Sequence, residues 1–178
     1  MNDSYPTIRV PTIRVEVRTD CESATQALAQ IVGRELPAAS VVALRGDLGA
    51  GKTAFARGLA EGLDVDPRQV SSPTFLYMVE HHGGRLPFVH ADLYRLEDVP
   101  AAAREQAFES IGLINALEGD AVAAIEWWDW WTGPVPARCV VVEIASLPGD
   151  NRRITLEFSG PDLDRAAAAA ADFASTPR

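Results

Sequence analysis

Eight residues, "GDLGAGKT" from Gly46 to Thr53, constrain this chain more than any other stretch. They have the G-x-x-x-x-G-K-[ST] spacing of a phosphate-cradling loop. "SVVAL" at 40–44 precedes them, a short wholly apolar run of the kind that forms a buried parallel strand. Phe55, Leu59 and Leu63 follow at helical spacing. Strand, glycine-rich turn and helix in that order give the motif its expected context. Gly46, Gly49 and Gly51 let the backbone curl so that N–H groups point at anionic oxygens. The rest of the cradle is Asp47, Leu48 and Ala50, with the positive end of the helix behind it. Lys52 offers a point charge to β- and γ-phosphates, and Thr53 offers a hydroxyl to Mg²⁺.

The other segments fit around this unit. Ile13, Val15 and Val17 alternate as a strand. Thr19 stands three residues before Glu22, a capping-box spacing, ahead of a helical pattern through Ala24, Leu28, Ile31 and Val32. "TFLYMVEHHGGRLPFVHADLYR" reads as two strands joined at His81–Gly84. "VPAAAREQAFESIGL" reads as a helix capped by Asp98, with Pro100 in its first turn. "AVAAI" at 121–125 is a second buried strand, and two alternating strands flank the turn "PGDN". "DLDRAAAAAADF" is either a short helix or a frayed tail. The expected fold is α/β: a three-layer domain with a mixed, mostly parallel central sheet and antiparallel hairpin additions. The expected division is an extension and first strand over 1–18, the phosphate-loop domain over 19–159 and an Ala-rich end over 160–178. A tandem "PTIRVPTIRV" at 6–15 is a local duplication within that extension.

Charge narrows the partners. The net charge of -9 comes without any run of Lys or Arg, which is unsuited to direct nucleic-acid binding. Cys21 and Cys139 are too few and too far apart for a metal cluster and read as reduced thiols. No signal-peptide pattern or 18-residue apolar stretch occurs, so a cytoplasmic protein without a membrane segment is expected.

A phosphate loop needs acids for its metal. Asp92 ends "FVHA" and Glu126 ends "AVAAI", and a carboxylate at the end of a central strand shares a rim with the phosphate loop. Thr74, in "SSPTF", is either a hydroxyl of a switch-like loop or part of an ordinary turn. His90 shares its side of the strand with Asp92 and either packs or supports that acid. All four tryptophans lie in "EWWDWW" after Ile125, where they either close over a nucleotide, dock a partner or rim the core.

Taken together, "GDLGAGKT", "SPTF", "HADLYRL" and "IEWW" resemble the TsaE (YjeE) family, the P-loop ATPase of bacterial tRNA threonylcarbamoyladenosine biosynthesis. The resemblance spans about residues 19–159, and its H-x-D-L-Y-R and E-W elements are more specific than the loop. It implies ATP at the loop, Mg²⁺ at Thr53, Asp92 and Glu126, and catalytic roles for Lys52, Asp92 and Glu126. Trp127 and Thr74 fall beside the nucleotide. Ala54 stands where the family often has a second threonine, while Asp129 keeps an acid two residues after Trp127. The implied partners are TsaD and TsaB, which modify tRNA, so that contact with tRNA is indirect.

Two other classes compete. A small-molecule kinase needs an acceptor pocket and mobile arginines, for which Arg104 is a candidate. A binding module would hold the nucleotide with negligible turnover. A GTPase would need an N-K-x-D element, and none is present.

Overall fold

The apolar run before the glycine-rich loop becomes the middle of a seven-stranded sheet. The computed structural model describes residues 12–176; the extension before it, including the first PTIRV copy, lies outside the described residues. In chain order the elements are β1 (Thr12–Thr19), α1 (Glu22–Glu35), β2 (Val41–Arg45), α2 (Lys52–Gly62), β3 (Met78–His81), β4 (Phe88–Asp92), α3 (Ala101–Ser110), α4 (Leu113–Leu117), β5 (Val122–Glu126), β6 (Cys139–Ser146), β7 (Arg152–Ser159) and α5 (Asp164–Ser175). The sheet order is β1-β7-β6-β2-β5-β4-β3. The central pairs β6–β2, β2–β5 and β5–β4 are parallel. The outer pairs β1–β7, β7–β6 and β4–β3 are antiparallel. This is the mixed α/β architecture expected from the sequence.

Alternation along the buried strands separates two cores. Val42 and Leu44 of β2 pack with Phe55, Leu59 and Leu28 beneath α1 and α2. Val41 and Ala43 face the other way and pack with Phe108 and Leu113 of α3 and α4. Period-two geometry sends successive side chains to opposite faces, so a wholly apolar strand requires cover on both. The Ala-rich end is a helix: α5 packs on α1 and β1, with Ala166, Ala167 and Ala170 buried.

Three local expectations differ from the structure. Thr19 is the last residue of β1, and its hydroxyl pairs with that of Thr25 at 2.9 Å. Cys21 is the N-cap of α1 and makes no capping bond. Asp98 does not cap α3; Pro100 holds that position, and Gly112, at φ 78°, separates α3 from α4. The expected strand at Thr74–Tyr77 is a turn, which leaves Phe75 86% exposed and only Met78–His81 paired.

Close contact between α1 and α2 requires glycine. A Cβ at Gly58 would collide with the Gln26 carbonyl oxygen and approach Ala29 Cβ at 2.7 Å. Gly58→Ala is therefore expected to destabilise the fold by about 1–3 kcal/mol through overpacking. Urea unfolding with an unchanged slope and a lower midpoint would verify this; an unchanged midpoint would refute it.

Candidate nucleotide and metal site

The parallel strands β2, β5 and β4 end on the same edge of the sheet, and the glycine-rich loop leaves β2 there. Leu44 is in register with Glu126, and Glu126 with Asp92, so the two acids are cross-strand neighbours at that edge. Both are nearly inaccessible, at 3% and 2% exposure. The loop itself depends on Gly46, whose φ is 136°. A side chain there would strike the Ile144 carbonyl oxygen of β6.

A cleft of about 400 Å³ opens along this edge. Leu48, Gly49, Gly51, Lys52 and Thr53 form one wall, and Thr74, Asp92, Glu126 and Trp127 complete it. Gly46 and Asp47 do not line the cleft; their carbonyl oxygens accept from Lys52 Nζ at 2.7 and 2.9 Å. Ala50 is buried beneath the loop, and its carbonyl accepts from Arg152 Nε at 3.1 Å.

Lys52 is 4% exposed, and its ammonium lies 3.7 Å from the Trp127 ring centroid. Burial pulls its pKa below the usual lysine value, while Glu126, Asp92, Asp47 and Asp129 oppose that shift. Trp127 reaches this position from a left-handed backbone at φ 59° and leans on Tyr94 at 4.9 Å between centroids.

The two acids have different surroundings. Glu126 Oε1 accepts from Thr53 Oγ1 at 2.8 Å and pairs with His90 Nε2 at 2.9 Å. Asp92 Oδ2 accepts from Ser72 Oγ at 2.8 Å and Thr74 Oγ1 at 2.5 Å, and its Oδ1 accepts from the Tyr94 amide at 2.9 Å. His90 therefore serves Glu126, not Asp92 as its position on the strand suggested.

The donor set suits Mg²⁺. A hydroxyl and two carboxylates are hard oxygen ligands, and Mg²⁺ usually takes one or two carboxylates beside phosphate and water. Among the described residues no three His, Cys, Asp or Glu side chains gather into a cluster that could hold a metal ion.

The tryptophan-rich segment does not act as one unit. Trp128 stacks on Trp131 at 5.1 Å and Trp131 on Phe108 at 4.7 Å, in the core under α3. Arg104 covers Trp130 and donates to the Val99 carbonyl, away from the cleft. That removes the arginine on which the kinase reading relied. Ser72, Tyr94, Arg57 and Glu22 also line the cleft and were not expected there. Their signal was faint: Ser72 lies two residues before Thr74, and Tyr94 two after Asp92. Cys21 and Cys139 are free thiols, and burial raises Cys139 to about 11. Among the described residues no helix is long and apolar enough to cross a membrane.

Comparison with known proteins gives the family. The family model for threonylcarbamoyl adenosine biosynthesis protein TsaE matches residues 19–154. The chain is 36% identical over 143 residues to the tRNA threonylcarbamoyladenosine biosynthesis protein TsaE of Bacillus subtilis, covering 80% of this chain and 85% of that protein. It is 40% identical over 126 residues to the Treponema pallidum protein of the same name, covering 71% and 87%. Its fold matches a crystal structure of Bacillus subtilis YdiB with a TM-score of 0.72 at 27% identity, over 91% of this chain and 97% of that one. With the phosphate loop, both strand-end acids and Trp127 all inside the matched span, the chain belongs to the TsaE family of tRNA threonylcarbamoyladenosine biosynthesis proteins.

Proposed function

We propose that this chain binds ATP with Mg²⁺ and hydrolyses it in the cytoplasm, in support of the TsaD–TsaB machinery that makes threonylcarbamoyladenosine next to the tRNA anticodon. Residues 19–159 form the ATPase domain in this reading. One observation carries it: the Thr53 hydroxyl meets the Glu126 carboxylate at 2.8 Å, beside Lys52 and across from Asp92. This convergence brings a lysine ammonium, a hydroxyl and two carboxylates to one rim, which supports the reading. Lys52 neutralises phosphate charge, the loop amides cradle it, and Glu126 and Asp92 orient the metal and the attacking water. Bound Mg²⁺ supplies Lewis-acid polarisation of the phosphoryl oxygens.

Hydrolysis is expected to be weak alone, to require Mg²⁺ and to rise on adding TsaD–TsaB. Phosphate release with and without the partners and the metal tests this. Phosphorylation of an acceptor would favour a kinase. ATP binding with unchanged turnover would favour a binding module.

The cleft also supports a nucleotide switch. Thr74 and Trp127 come to it from separate parts of the chain, and each touches a polar group that phosphate or metal would compete for. The ATP form is expected to bind the partners about tenfold better than the ADP form, equivalent to about 1.4 kcal/mol. Tryptophan fluorescence should change on adding ATP with Mg²⁺, and Trp127→Phe should abolish most of that change. Equal partner affinity in both nucleotide states would exclude the switch.

A further inference from the structure

We infer that His90 is a positioning residue that pins one oxygen of Glu126 and leaves the other to the metal–nucleotide. This deepens the ATP reading above and rests on it.

His90 is 0% exposed in the middle of β4. It is in register with Ala124 of β5, and Glu126 lies two residues further along that strand on the same face. The small Ala124 side chain leaves room for the imidazole to reach past it. Nε2 comes to 2.9 Å from Glu126 Oε1, the same oxygen that accepts from Thr53 at 2.8 Å. A carboxylate only accepts, so Nε2 carries the hydrogen of this bond. Among the described residues Nδ1 has no hydrogen-bond partner.

That unmet nitrogen separates positioning from packing. Burying a polar atom without a partner is unfavourable, and an aliphatic side chain would fill the same space without one. The imidazole's distinctive contribution here is its Nε2–H bond. Two donors converging on Oε1 restrict rotation of the Glu126 carboxyl and occupy that oxygen. Oε2, which receives no hydrogen bond from the described residues, is then the oxygen offered to the cleft.

The test compares His90→Leu, similar in bulk but without a donor, with His90→Gln, whose amide nitrogen falls near Nε2. The probe is a non-hydrolysable ATP analogue, titrated by calorimetry with and without Mg²⁺, followed by the Mg²⁺ dependence of hydrolysis. His90→Leu is expected to lose about tenfold or more of the Mg²⁺-dependent affinity and to need correspondingly more Mg²⁺ for hydrolysis. Its metal-free nucleotide affinity should stay within threefold of wild type. His90→Gln should stay within threefold throughout. In a Glu126→Ala background, His90→Leu should add nothing. If the leucine variant does not fold, His90→Asn replaces it, since its shorter amide falls short of Oε1 and should show the same loss. Equal behaviour of the donor-lacking and glutamine variants, or equal losses with and without Mg²⁺, would overturn the proposal and leave packing. Wild-type protein whose analogue binding ignores Mg²⁺ would overturn the metal reading itself, and the His90 role with it.

Discussion

Replacing Lys52 by alanine is expected to weaken ATP binding by about 10- to 150-fold, the equivalent of about 1.5–3 kcal/mol for a charge-assisted contact. The ammonium stands 2.7 and 2.9 Å from two loop carbonyls, and the acids Glu126, Asp92 and Asp47 are near enough to stabilise its charge. Removing it leaves those acids facing the phosphates without a cation between them. Burial lowers the pKa of Lys52, so its proton is lost at lower pH than from an exposed lysine. Polyphosphate binding favours the charged form. Affinity should therefore fall as pH rises through that lowered value, with proton uptake on binding in that range. Calorimetry in buffers of different ionisation enthalpy measures both effects. An alanine variant with wild-type affinity and the same pH profile would remove Lys52 from the phosphate site.

The parts legible in the sequence share a local cause. β2, the loop and α2 follow one another within residues 41–62, so a short apolar run, three glycines and one helical stripe suffice to identify them. Asp92 and Glu126 were legible as acids ending apolar strands, and register brings them side by side. What could not be read depends on distant contacts. Ser72 and Thr74 reach Asp92 across 20 and 18 residues, and His90 reaches Glu126 across 36. No periodicity encodes such pairings, which follow from the order in which strands assemble. Local rules also failed where a tertiary partner offered more. Thr19 has the spacing of a capping box, but its pairing in β1 and its bond to Thr25 take the hydroxyl elsewhere. The tryptophans are contiguous in sequence, yet a left-handed turn at Trp127 and a tight turn at Trp128–Trp130 send them to different surroundings.

The difference between the two acids yields the second large effect. Glu126→Ala is expected to lower Mg²⁺-dependent hydrolysis on the order of 10²–10³-fold, the scale of losing one preorganised electrostatic group at a reacting phosphate. Glu126 lines the same cleft as Lys52 and Thr53, and among the described residues its Oε2 accepts no hydrogen bond and is available to a metal. Asp92 is more fully engaged. Ser72 and Thr74 hold one oxygen and the Tyr94 amide holds the other, so the carboxylate is also the anchor of the 71–77 loop. Asp92→Ala should therefore cost less in turnover, on the order of tenfold, while loosening that loop. Hydrogen exchange at Ser72–Tyr77 would rise in this variant and stay unchanged in Glu126→Ala. Rapid hydrolysis by the Glu126→Ala protein, with the Asp92→Ala protein inactive, would reverse the ranking and make Asp92 the principal metal acid.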